Sequence, residues 1–299
     1  MTAAKAMRSA YSGQRRKHFT PDRIGLYAFL AIAAAFFLLP AYVMVVTSLK
    51  TMSEIRLGSI LSLPRHPVLA AWSTAWSAPC RYITCPGVST GFWNSVKITV
   101  PSVIVSVTIG AVNGFALSFW HVRGAKLLFG LLVLSAFVPY QIFIYPLVYG
   151  LSISRLYGSL PGITFVHVVF GLPLVTLLFR NYYAGIPTEL IKAARVDGAG
   201  FWRIFGSIIL PLSTPIIAVA AILQTTGIWN DFLLGLVFAG PRNVPMTVQL
   251  NNLVNTTTGE RAYNVDMAAT LLTAAIPLLI YFGSGRWFVR GIAAGALKG

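Results

Sequence analysis

The sequence predicts an all-α, polytopic membrane protein of six transmembrane helices with a helix–turn–helix on its cytoplasmic face. Three observations carry that expectation. Of the 299 residues, 56% are hydrophobic and only 10% are charged, whereas soluble domains carry about 25% charged residues; too little polar surface is present to coat a water-soluble core. Five charge-free stretches are long enough to cross a bilayer, and a sixth is slightly shorter; a span takes about 20 apolar residues. Basic residues gather in alternate connecting segments, as orientation signals do. Composition therefore excludes a soluble enzyme, a disordered chain and a disulfide-stapled secreted module.

The first span is Ile24–Leu49, preceded by a basic cytoplasmic arm over residues 1–23. Ile98–Trp120, Leu127–Ser154, Leu156–Phe179 and Ile204–Asn230 follow, and Met267–Gly285 is the last. Arg155 alone divides the third from the fourth, but Gly158, Pro161 and Gly162 beside it punctuate a turn rather than continue a helix. The membrane domain thus covers residues 24–290, and residues 291–299 form a tail. An even number of spans puts both termini on one side. With the termini inside, 15 of the 23 Lys and Arg residues are cytoplasmic, and the bias is strongest in the arm before the first span, which usually dominates orientation. The net charge of +16 is accordingly an orientation signal, and no nucleic-acid partner is expected. The long outer loop at 50–97 is rich in Trp, Pro and Ser, and Trp72, Trp76 and Trp93 suit a membrane interface. Cys80 and Cys85 lie in it as C-x-x-x-x-C, a spacing that permits a disulfide bracing the loop and equally permits two thiols.

Chemistry of its own is not expected of this chain. There is no G-x-x-x-x-G-K-[ST] phosphate loop, no H-E-x-x-H and no Cys/His cluster, so neither a catalytic residue nor a metal site is assigned. His18, His66, His121 and His167 are far apart and read as structural. The sharpest local signal is the inner loop at about 181–205. Pro187 suits the opening of a helix and Glu189 its positive end, Ile186, Leu190 and Ala193/Ala194 recur on one narrow face, and Asp197-Gly198 ends it. A second short helix, Ala199–Phe205, leads into the fifth span, which contains Pro211 and Pro215. Such an element suits close docking of another surface on the Ala face, and it also suits an interfacial helix resting on lipid headgroups. Trp229, Asn230 and Asp231 close the fifth span; they fit a substrate contact, a helix cap or a gate. Gln141 lies between Pro139 and Pro146, which loosen the backbone ladder as a gated pathway would require.

At these residues the chain resembles a known family. Lys192-Ala193-Ala194-Arg195-Val196-Asp197-Gly198-Ala199, followed by Ile209-Leu210-Pro211, is similar to the EAA loop of permeases in binding-protein-dependent ABC importers. Trp229-Asn230-Asp231-Phe232, the Pro139, Gln141 and Pro146 set, and the tail Arg290-Gly291 with Ala294 to Gly299 resemble the carbohydrate-uptake branch, nearest the second permease of maltose-type importers. Leu250-Asn251-Asn252-Leu253 and Tyr263-Asn264-Val265-Asp266-Met267 look like glucose/mannose-type members. The resemblance runs from Ile24 to the C-terminus. It implies a non-catalytic subunit of an ATP-driven sugar importer in the bacterial cytoplasmic (inner) membrane, bathed in membrane lipid. The implied partners are a second permease, making a heterodimer, two ATPase subunits that hold ATP and Mg, and a periplasmic sugar-binding protein. No cofactor is bound by this chain itself. The substrate implied is a monosaccharide such as glucose or mannose, with another sugar or a glucoside as the alternative.

Carried over residue by residue, Glu189, Lys192, Ala193, Ala194, Asp197 and Gly198 form a coupling helix–turn–helix that docks on the ATPase, and Lys298 belongs to a tail reaching between ATPase subunits. Lys192 departs from the pattern, standing where the motif carries Glu, which shifts any acidic contact to Glu189. Gln141, Trp229, Asn230 and Asp231 are the candidate pathway or gate residues, although in maltose-type importers the sugar site is implied to lie mainly on the other permease. A stand-alone secondary transporter is the competing class, and it would be expected to bury ionisable relays in mid-span; the five longest runs carry no charge.

Overall fold

A computed structural model describes residues 21–77, 87–120, 123–255 and 261–296, with side chains from Ile24 to Gly285 apart from Ala136. Cys80, Cys85 and Lys298 lie outside the described residues. Every regular element among those residues is helical. The chain runs through α1 (Pro21–Ser48), the loop helices α2 (Met52–Leu57) and α3 (Ala70–Ser77), and α4 (Ser89–Phe119). Next come α5 (Ala125–Phe137), a 3-10 turn at Tyr140–Phe143, α6 (Ile144–Ile153) and α7 (Leu160–Tyr183). A short helix α8 (Thr188–Val196) and α9 (Phe201–Ile204) follow; α9 continues through a π-helical turn at Phe205–Ile209 into Leu210–Leu212. The chain ends in α10 (Thr214–Asn230), α11 (Leu233–Phe238), α12 (Met246–Val254) and α13 (Tyr263–Ala296). Four helices, α1, α4, α7 and α13, are each long and apolar enough to span a membrane, and the number rises to six if each of two bent pairs is one span.

The bent pairs are the third and fifth spans, which the sequence presents as unbroken runs. Pro139 lacks the N–H that would continue α5, and the chain turns there through Tyr140–Phe143 before α6 resumes. In the fifth span the segment Phe201–Leu212 meets α10 at 78°, with Pro211 and Pro215 on either side of Ser213. The carbonyls loosened at this bend find partners: the Tyr182 hydroxyl donates to Leu212 O (2.8 Å), and Ser213 Oγ donates to Ile209 O (2.5 Å) while lying within hydrogen-bond distance of the Tyr183 hydroxyl (3.0 Å). Breaks in a membrane helix are tolerated where neighbours re-satisfy the backbone in this way.

The fourth helix starts at Ser89, well before the apolar run at Ile98, and so takes in Lys97. Tertiary contacts extend it. Asn94 Nδ2 donates to Arg242 O (3.3 Å) and Val244 O (3.1 Å), and Met246 N donates to Ser95 Oγ (2.8 Å). The loop between α1 and α4 is equally well packed. Trp72 donates from Nε1 to Ser48 Oγ (3.2 Å), and Trp76 meets the Phe92 ring edge-on at 5.3 Å. These two rings belong to the packing of a cluster with Ala71, Val88, Trp229 and Met246, whereas Trp93 remains 57% exposed; only the last fits the interfacial role expected of all three.

The tightest helix contact is between α4 and α7. A Cβ on Gly110 would lie 2.5 Å from Val175 Cγ1, and one on Gly114 would lie 2.6 Å from Phe179 Cβ and 2.9 Å from Arg180 N. Two glycines four apart let backbones approach where bilayer lipid offers no hydrophobic drive to associate. Phe115, Val175, Phe179 and Tyr183 around them are buried, and the same cluster continues into Ile191, Ala194, Ile204 and Ile209. By contrast, α1 buries only 6% of its apolar window. Replacing Gly114 with Val should therefore separate α4 from α7 at a cost of about 1–3 kcal/mol, seen as a lowered thermal midpoint of the solubilised protein. The same change at Gly130, which has open space around it, should leave the midpoint nearly unchanged.

Candidate functional site

The residues singled out from the sequence fall mainly at two places: the loop helix α8 and a cup between α7 and α10. Pro187 is the residue that caps α8 rather than its first turn, with φ −57° and ψ 127°. Glu189 sits in the first turn and Arg195 in the last, each favourable to the helix dipole. The C-terminus is a complete Schellman motif. Gly198 N donates to Arg195 O (3.0 Å), Ala199 N donates to Ala194 O (2.9 Å), and Gly198 takes φ +78°. The expected turn at Asp197-Gly198 is thus present.

The faces of α8 divide differently from the sequence expectation. Ile191 and Ala194 are buried in the same cluster as Phe115, Phe179 and Tyr183. Ala194 therefore packs the loop onto its own membrane domain and presents nothing outward. Glu189, Leu190, Lys192, Ala193 and Val196 are exposed, and Val196 is 87% exposed. Leu190, Ala193 and Val196 recur every three residues and so share one outward stripe. Lys192 makes no ion pair among the described residues. A residue the sequence reading passed over fixes the helix in place: Arg195 Nη2 donates to Phe119 O (2.7 Å), an end carbonyl of α4, and its guanidinium lies 4.3 Å from the Trp120 ring centre. A cation at a helix C-terminus meets the negative end of the dipole.

The cup is a cavity of about 340 Å³ lined by Tyr140, His167, Phe170, Gln224, Asn230 and Asp231 among others. Helical spacing builds it. His167 and Gly171 are one turn apart on α7, while Gln224, Ile228 and Asp231 follow each other turn by turn on α10 and its cap. Gly171 has a specific reason: a Cβ there would collide with the Gln224 amide. Gln224 Nε2 donates to Ser106 Oγ on α4 (2.9 Å), and Asp231 Oδ2 accepts from Gly235 N (2.9 Å), capping α11. The rings of Tyr140 and Phe170 meet edge-on at 5.8 Å.

Of the four pathway candidates, Asn230 and Asp231 line this cup. Trp229 does not; it is 3% exposed, donates from Nε1 to Thr273 O (3.1 Å) and packs on Phe92 at 5.6 Å, so its part is to join α10 to α13. Gln141 is exposed and outside the lining, with its neighbour Tyr140 inside it. His167, read as structural, lines the cup instead. The spacing of Gln224 to Asp231, and of His167 to Gly171, was the signal available for both. No group of three His, Cys, Asp or Glu among the described residues could hold a metal ion.

Residues 95–294 match the family described as binding-protein-dependent transport system inner membrane component. The chain is 36% identical over 284 residues to an ABC transporter permease protein of Pyrococcus horikoshii, covering 95% of this chain and 100% of that one. It is 38% identical to the osmoprotective compounds uptake permease of Synechocystis over 71% of each chain. It is 28% identical to the glucose import system permease of Saccharolobus solfataricus over 90% of this chain and 92% of that one. A crystal structure of a bacterial ABC transporter that imports the acidic polysaccharide alginate has the same fold, with a TM-score of 0.75 at 19% identity over 90% of this chain and 98% of that one.

The latch that Arg195 makes on the end of α4 generates a direct expectation. Arg195→Gln should free α8 from the end of α4, and amide hydrogen exchange across residues 188–199 should quicken about fivefold, the equivalent of one modest hydrogen bond. Unchanged exchange would mean that Ile191 and Ala194 hold the loop without the latch.

Proposed function

The chain belongs to the family of binding-protein-dependent transport inner membrane components, and from that premise we propose that it forms half of the pathway of an ATP-driven sugar importer. It is an ABC permease subunit; hydrolysis falls to separate ATPase subunits, which hold ATP and Mg. A second, different permease completes the pathway, and a sugar-binding protein delivers from outside the cytoplasmic membrane. Both termini and α8 then lie on the cytoplasmic side, in keeping with the basic bias of the inner segments. Relatives named for glucose, alpha-glucoside and xylose/arabinose import support a sugar cargo, and we take a monosaccharide such as glucose as the substrate.

One observation carries the coupling role: α8 buries one face in the core of the spans and offers a second, Leu190, Ala193 and Val196, to solvent. A short helix of this build passes displacement from a bound ATPase straight into the packed spans. Glu189, Lys192 and Asp197 flank the exposed stripe and would set its charge pairing, while Ala194 and Gly198 set its seat and its turn. Lys298, in the tail, would extend the same contact.

Ala193→Trp adds bulk to the exposed stripe without touching the core, and Gly198→Val strains a position at positive φ. Both proteins should insert, with ATPase co-purification or binding-protein-stimulated hydrolysis reduced about tenfold, the equivalent of ~1.4 kcal/mol of contact. An interfacial anchor would respond in the opposite way, because an added indole strengthens headgroup binding. Normal ATPase retention and normal stimulated transport in both variants would overturn the coupling assignment.

A further inference from the structure

We propose that the cup between α7 and α10 is a sugar-contacting subsite of this chain's own, built for one uncharged, hydroxyl-rich ring. The inference rests on the importer reading and deepens it. Its main observation is His167. The imidazole is only 6% exposed, borders the cavity, and has no hydrogen-bond partner among the described residues. A neutral imidazole presents one N–H donor and one acceptor nitrogen; neither is among the sealed, unpartnered polar atoms of the described residues, so both stay open to a partner entering the cavity. A ligand hydroxyl, which donates and accepts at once, satisfies either nitrogen.

The other walls ask for the same chemistry. Gln224 spends its amide N–H on Ser106 and keeps a carbonyl oxygen for a donor. Asp231 gives one oxygen to Gly235 N, and a carboxylate has further lone-pair capacity. Tyr140 and Phe170 supply an aromatic wall for the apolar face of a ring. No Lys or Arg borders the cavity, so a uronate would set its carboxylate near Asp231 with no cation to balance it. At about 340 Å³ the space is near the lower end of the roughly 300–1,000 Å³ typical of small-molecule sites. That suits a single ring better than a chain of them. His167 lies about 10 Å along α7 from its first residue, at 1.5 Å per residue, so in the proposed orientation the cup lies nearer the outer end of the helix, where delivery would occur.

Saturation-transfer NMR on the intact, solubilised transporter without binding protein tests this, with methyl α-D-glucoside and methyl α-D-glucuronide as probes. The wild type should transfer saturation to the glucoside and not to the glucuronide. His167→Ala should lower the glucoside signal about fivefold or more, the effect of one lost hydrogen-bond partner. Gly171→Ala should do the same by displacing the Gln224 amide, with a thermal midpoint lowered only by the loss of its one hydrogen bond to Ser106. Gln141→Ala, outside the cup, should leave the signal intact. An absent wild-type signal, equal signals for the two probes, or an unchanged signal in both His167→Ala and Gly171→Ala would overturn the subsite. Binding-protein-stimulated ATP hydrolysis in the same preparation separates the two readings: its presence without a glucoside signal counts against the subsite alone, and its absence counts against the importer reading.

Discussion

The close approach of α4 to α7 is the constraint on which the rest of the structure depends. With Gly110 and Gly114 against Val175 and Phe179, the two helices leave no room for a side chain between them, and their relative position is fixed to the width of a methyl group. Both functional places are referenced to this pair. On α7, one stripe at four-residue spacing carries His167 and Gly171 toward α10 and, further along, Val175 and Phe179 toward α4, and the end carries the two tyrosines that hold the bend at Ser213. On α4, Ser106 receives Gln224 from the cup, and the last carbonyls receive Arg195 from the loop. A displacement of α8 has few ways to dissipate before it reaches the cup, because the intervening elements are packed rather than hinged.

The bend in the fifth span is the exception, and its placement is informative. It comes directly after the loop helices, where a π turn, two prolines and the 78° change of direction coincide. Tyr182 and Tyr183 bind the freed groups from α7, so the break is supported by the helix that the cup also uses. Interior packing is bistable rather than continuously deformable, and a supported break of this kind is where two packed arrangements of the same spans would differ.

Much of this was legible in the sequence. Charge-free length located the spans, and Asp197-Gly198 located a helix end whose glycine does take positive φ. What periodicity could not supply was direction. In a nine-residue helix with adjacent alanines, Ala193 and Ala194 are equivalent by pattern, and only the neighbouring Phe115, Phe179 and Tyr183 decide that Ala194 turns inward. Trp72 and Trp76 look like interface anchors by residue type, yet the loop between α1 and α4 folds back and packs them. The breaks at Pro139 and Ser213 were signalled by proline but not fixed by it, since Pro40, Pro101, Pro173 and Pro277 all sit inside continuous helices. His167 was passed over because a lone histidine has no partner in sequence; its meaning arises only when Gln224 and Asp231 arrive across the cup.

The central claim is that packed spans connect an ATPase on one side to a sugar path on the other. The most direct measurement is sugar uptake into vesicles holding the assembled transporter, with binding protein and sugar outside and ATP inside. Uptake should require hydrolysable ATP and should persist when every ion gradient is collapsed with ionophores. Uptake driven by an imposed ion gradient in the absence of ATP would contradict the account.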